Sequence, residues 1–272
     1  MYRGFQLVGI DFDNYKGSES RCPDLRVCVE WREVIRSNKC KVGEAINGCF
    51  LEDGSIDGSK MQENWFPQIE ADIFISHSHG DKKLAQELSK WLYVTFGLKA
   101  FIDSDVWGYA PDLEEKLLSI YRRYSDQEDY DDLKNFVSAH VHMMLSVALN
   151  QMIDNAECLF FLNTPSSISI DAPIEGTTPS PWIYLEIANS GLIRTKTPAR
   201  FMPQATFTEQ RRTNFRLPST SIPIRHKVSR GHLVELNPDT LQRWKSECRK
   251  YPQSDSKKAL DVLYRLVIIG DE

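Results

Sequence analysis

The sequence predicts an α/β domain whose central parallel sheet is covered by helices on both faces. Three observations carry this. Short apolar runs stop abruptly at polar residues, at 72–76, 99–103 and 158–162. Amphipathic helical patterns separate the runs. The runs are continuously apolar rather than alternating, as strands buried on both faces are.

Taken in order, residues 5–11 read as a first strand, and residues 26–36 alternate apolar and charged residues in a way that fits a strand or a short helix. Residues 43–60 are rich in Gly, Asp and Ser, with Asp53-Gly54 and Asp57-Gly58 as turn signals. Residues 1–68 are therefore expected to form an N-terminal extension packed on the main domain. Strand–helix alternation starts at 71. Residues 72–76 predict a buried strand, and 82–96 a helix with Leu84, Leu88, Trp91 and Leu92 on one stripe and Gly97 as its stop. Residues 99–103 predict the second strand, 142–154 an apolar helix and 158–162 the next strand. A helix over 181–191 follows, with Ser180 as its N-cap, Pro181 in its first turn and Gly191 at its end. Residues 111–140, an insertion, carry a charged segment at 122–132 between two helical patterns, and 195–220 read as a long loop. Residues 221–225 and 232–236 predict strands, and helices follow Asn237-Pro238 and span about 257–268.

The chain of 272 residues suits one large domain with additions, and its 41% hydrophobic and 26% charged residues are ordinary for a globular protein. A net charge of −5 argues against phosphate-backbone binding as the main task, so no nucleic-acid partner is expected. No membrane-length apolar run and no signal-peptide core are apparent, which predicts a cytoplasmic protein without a membrane partner. Cys22, Cys28, Cys40 and Cys49 match no tight Cys-x-x-Cys knuckle, and free thiols are the expectation. His77 with His79, and His140 with His142, lack partners in register, so no metal is expected.

The chemistry concentrates in two segments. Ala71-Asp-Ile-Phe-Ile-Ser76-His77-Ser-His-Gly-Asp81 ends a strand in hydroxyl, imidazole and backbone donors, where ligands of open parallel sheets bind. Ser180-Pro-Trp182-Ile-Tyr-Leu-Glu186 places Trp182 and Glu186 one helical turn apart on one face. A donor-rich strand end with a helix carboxylate suits a sugar-nucleotide site.

These residues resemble a prokaryotic Toll/interleukin-1 receptor (TIR) domain, over about 71–193. Asp72-Ile-Phe-Ile-Ser76-His77 is similar to the family's first strand, with Asp81-Lys82 opening the first helix. Phe101-Ile-Asp103 is similar to the second strand, followed by the BB loop near Asp105-Val-Trp107-Gly-Tyr109. Glu157-Cys-Leu-Phe-Phe-Leu-Asn163 resembles the fourth strand, and Trp182-x-x-x-Glu186 the helix carrying the catalytic glutamate of NAD-consuming members. The segment 111–140 is longer than the family's usual connection, and 1–68 and the region after 195 match no part of its pattern. The resemblance implies a flavodoxin-like fold over 69–193, with 194–272 completing the domain. It implies cleavage of NAD⁺ as substrate, without a cofactor, by hydrolysis or cyclisation, in antiphage defence of the Thoeris type. Self-association through TIR contacts is implied too, with an upstream sensor or downstream effector.

Each candidate has a plainer alternative. Glu186 is either the group that stabilises an oxocarbenium-like ribose or a solvated helix glutamate. Trp182 walls a pocket or packs its helix on the sheet, packing being the commoner role. Ser76 and His77 bind substrate or cap the helix after them. Asp103 and Ser104, ending the second strand, are expected to face the same crevice, and Thr164 and Ser166, at the exit of the strand at 158–162, are further site-lining candidates. Trp107 and Tyr109 stack on a base, contact a neighbouring protomer, or cover a core edge. The arginines at 194, 200, 211, 212 and 216 hold a pyrophosphate or belong to a solvated loop. Two rivals share this constellation: a non-catalytic TIR scaffold, and an enzyme resembling nucleoside deoxyribosyltransferases.

Overall fold

Residues 1–10, 47–107, 109–124, 130–169, 176–201, 226–249 and 256–269 are described by the structure, a computed structural model. Five parallel strands form the sheet: β1 (Arg3–Val8), β2 (Ile73–Ser76), β3 (Ala100–Phe101), β4 (Cys158–Asn163) and β7 (Leu233–Leu236), in the order β3-β2-β4-β1-β7. A separate antiparallel pair joins β5 (Thr177–Thr178) to β6 (His226–Lys227).

The continuous apolar runs are explained by alternation between two covered faces. Ile73 and Ile75 of β2, Phe160 and Leu162 of β4, and Phe5 and Leu7 of β1 pack with α2 (Lys82–Phe96), α7 (Pro238–Cys248) and α8 (Ser256–Ile269). Phe74, Leu159 and Phe161 point the other way, into a core shared with α1 (Gly58–Trp65), α4 (Ala110–Tyr124), α5 (Tyr130–Asn155) and α6 (Pro181–Leu192). A short helix, α3 (Asp103–Val106), follows β3.

Local signals set the helix ends. Gly97 stops α2 in a left-handed conformation (φ 73°) that glycine adopts without strain. The Ser180 hydroxyl accepts from Ile183 N at 3.3 Å, and Pro181 opens α6 as the sequence predicts. Asn237 caps α7 by accepting from Thr240 N at 2.9 Å.

Two expectations are corrected. Arg3–Val8 lies inside the sheet between β4 and β7 rather than in an extension packed upon it, because Phe5 and Leu7 are buried with the main core. The second strand stops at Phe101, since β3 is an edge strand pairing only Ala100 and Phe101 with β2, and Asp103 already belongs to α3. The two helical patterns expected within 111–140 are present as α4 and the start of α5, joined through residues 125–129, which lie outside the described ones. Leu113, Leu117 and Val137 bury one face of this hairpin, while its charged face stays in solvent. β4 is the middle strand of the sheet, between β2 and β1.

Helix α5 is also long and apolar enough, by length and composition, to cross a membrane, with 33% of its most apolar window buried. Asp131 and Asp132 stand in its first turn, and Val141, Ala148, Leu149, Met152 and Ile153 pack into the core. The expected strand or helix at 26–36 and strand at 221–225 lie outside the described residues.

Candidate functional site

From β2 the chain reaches β3 on one side, and from β3 it crosses to β4 on the other. The topological switch point therefore lies between β2 and β4, and the crevice beyond their carboxyl ends is where such sheets bind ligands. Ser76 is the last residue of β2, with His77 just past it. Alternation puts Ser76 on the same face as Phe74, toward α6.

Glu186 meets it there. The residues of α6 buried with it, Ile183, Ile187 and Ser190, recur at helical spacing, so Glu186 sits within the inward stripe. It is 4% exposed, which removes the solvated-glutamate alternative. The Ser76 hydroxyl donates to Glu186 Oε2 at 2.6 Å. Burial pushes the Glu186 carboxyl well above the usual carboxylate range, the negative charge of Asp103 adds to the rise, and the Ser76 hydrogen bond partly opposes both.

Asp103 stands at the mouth, its side chain 37% exposed, with His77 Nδ1 3.9 Å from its Oδ1. Its carboxylate is held by the backbone N–H of Ser104 at 2.7 Å. Lys82 turns away from this pair: its ammonium lies 3.1 Å from Asp105 Oδ1 and donates to the Ser104 carbonyl at 3.1 Å. Ser76, His77, Asp103 and Glu186 thus converge on one crevice, as a buried carboxyl behind a solvent-facing carboxylate.

Other candidates belong elsewhere. Trp107 is a core residue, 3% exposed, with its indole N–H donating to the Pro67 carbonyl at 2.8 Å and its ring against Phe66 and Phe101. Tyr109 is 65% exposed, and Gly108 between them lies outside the described residues. Trp182 is half-buried against the α5 core, its ring 5.6 Å from that of His142, which fits the packing role. The Thr164 hydroxyl donates to Asp81 at 2.5 Å and so has no proton left to offer a ligand. Arg200 is engaged by Glu157 and Asp261, and Arg211, Arg212 and Arg216 lie outside the described residues.

Asp81 is the residue that sequence reasoning missed, having read it only as the opening of a helix. Its carboxylate also accepts from Ser78 at 2.5 Å, so it bridges the loops leaving β2 and β4. The signal available was its company: three hydroxyls, at Ser78, Thr164 and Ser167, in segments that follow two adjacent strands.

Among the described residues no group of three or more His, Cys, Asp or Glu is placed to hold a metal ion, and Cys49, Cys158 and Cys248 are not joined in disulfides. No family model, no curated protein and no solved structure matches this chain, so the site stands on its own geometry.

Proposed function

We propose that this chain is a TIR-type enzyme that cleaves NAD⁺ at the nicotinamide–ribose bond. The observation that carries the reading is Glu186, a carboxyl buried at the switch point, bonded to Ser76 and backed by Asp103. Charge explains why a cationic substrate suits such a site. Asp103 and burial favour the neutral acid, and a pyridinium cation beside it favours the carboxylate. As the carbon–nitrogen bond breaks, nicotinamide leaves neutral with the bonding electron pair, and the positive charge passes to the ribosyl carbon. A carboxylate in a water-poor site stabilises that charge without a general acid. Water would then give ADP-ribose, and attack from within the dinucleotide a cyclic product.

Antiphage signalling in the cytoplasm, with an upstream sensor or a downstream effector, belongs to the same proposal. So does self-association, which the exposed Tyr109 supports as a contact residue. The test is incubation of the purified chain with NAD⁺ at high protein concentration, with products resolved by liquid chromatography and mass spectrometry. Nicotinamide should appear with wild type and be lost in Glu186→Gln. Cleavage of nucleosides with NAD⁺ spared would instead favour the deoxyribosyltransferase-like reading, and inertness toward both would favour a scaffold.

A further inference from the structure

Asp81 occupies the N-cap position of α2, where an aspartate ordinarily accepts from a backbone N–H of the first turn. Here its side chain makes no such bond. One carboxylate oxygen, Oδ2, instead accepts from Ser78 Oγ and Thr164 Oγ1, both at 2.5 Å, and lies 3.2 Å from Ser167 Oγ. Ser167 gives its own proton to the Leu162 carbonyl at 2.7 Å, which ties the turn back onto β4. The turn is closed further by Ser167 N and Ile168 N, both donating to the Thr164 carbonyl at 3.0 Å.

Each side of this bridge leads to one partner of the Ser76–Glu186 bond. Ser78 lies two residues beyond Ser76. The turn at 164–168 leads to the antiparallel bridge between Ser169 and Thr177, then through β5 to Ser180, the cap of the helix bearing Glu186. Hydrogen bonds to an ionised acceptor are roughly twice as strong as neutral ones, so a carboxylate suits a bridge that must hold two loops in register.

We infer that Asp81 is a positioning residue, joining the exits of β2 and β4 so that Ser76 and Glu186 meet at the distance the reaction needs. The inference rests on the reading of Glu186 as the reacting group. It is tested with the full chain by steady-state nicotinamide release from NAD⁺, comparing wild type with Asp81→Asn and measuring thermal midpoints alongside. Misplacement of a reacting group by about an ångström lowers rates by about a hundredfold. Asp81→Asn should therefore lower kcat by about ten- to a hundredfold per folded molecule, with KM changed less than about threefold. A purely structural role would reduce the folded fraction and leave kcat per folded molecule intact, and that result overturns the inference while leaving the proposed function standing. If wild type releases no nicotinamide, both fall together. Should Asp81→Asn fail to fold, Thr164→Val opens the same bridge from its other end and is judged by the same split between kcat and KM.

Discussion

The Ser76 hydroxyl reaches across 110 positions of chain to donate a 2.6 Å hydrogen bond to the Glu186 carboxyl, inside the core. That bond favours the ionised form of an acid whose carboxyl burial and Asp103 push upward.

Glu186→Gln should therefore make the fold more stable at neutral and alkaline pH. A carboxyl raised in the folded state contributes stability that is fully present below the unfolded group's pKa and is lost as pH rises through the folded value. Each unit of displacement corresponds to about 1.4 kcal/mol. Glutamine keeps the shape and can accept the Ser76 proton, but it never ionises. The advantage of the variant over wild type should accordingly widen between pH 5 and pH 8 in urea denaturation. A gap that stays constant, or a wild type more stable at pH 8, would contradict the assignment of a raised carboxyl.

Ser76→Ala should move the acid limb of turnover to higher pH. The hydroxyl favours the ionised form of Glu186, so its removal raises the carboxyl further. Such a bond is worth about 1.5–3 kcal/mol to the ionised form and about 0.5–1.5 kcal/mol to the neutral one, a difference of about one pH unit. The measurement is kcat for nicotinamide release against pH in both proteins. An unshifted limb would mean that Glu186 does not control it.

Much of this site was legible before the structure, because its parts obey local rules. Ser180-Pro181 and Gly97 mark helix ends through capping geometry that three or four residues determine. The inward position of Glu186 was left open against a solvated glutamate, although Ile183 three residues before it and Ser190 four after it lie on the same buried stripe. What was not legible depends on distant pairing. β1 finds its place through parallel registers with β4 and β7, more than 150 positions away, and no local pattern in residues 3–8 encodes that. The helical patterns on either side of the charges at 122–132 were legible, and Leu113, Leu117 and Val137 show which of their positions meet the core.

Trp107 and Tyr109 were equal candidates in sequence and are separated by burial. Trp107→Ala removes a large ring from between Phe66 and Phe101 and the indole bond to Pro67. It should cost about 3–5 kcal/mol of stability. Tyr109→Ala should stay within about 0.5 kcal/mol of wild type, because its side chain is largely in solvent. Its effect should appear instead in the dependence of turnover on protein concentration, measured across a dilution series. If Tyr109→Ala lowered stability as Trp107→Ala does, the exposed placement of this tyrosine would be wrong.

Arg200 shows why an arginine in a segment read as loop need not serve a substrate. Its guanidinium donates to both carboxylate oxygens of Glu157, at 2.6 and 2.8 Å, and through Nε to Asp261 of α8 at 2.7 Å. Tyr264 donates to Glu157 as well, at 2.9 Å, so the entry to β4 is fastened to the C-terminal helix from two sides. Arg200 is 26% exposed and Glu157 16%, so solvent screens this pair only in part. Arg200→Ala should destabilise by about 1–3 kcal/mol, through lost charge-assisted bonds and a half-buried glutamate with one donor fewer. Lysine supplies charge but no planar fork, so Arg200→Lys should recover less than half of that loss. Urea midpoints of the three proteins decide the matter. Full recovery by lysine would reduce the clamp to simple charge pairing, and a loss of NAD⁺ affinity at unchanged stability would return Arg200 to the substrate site.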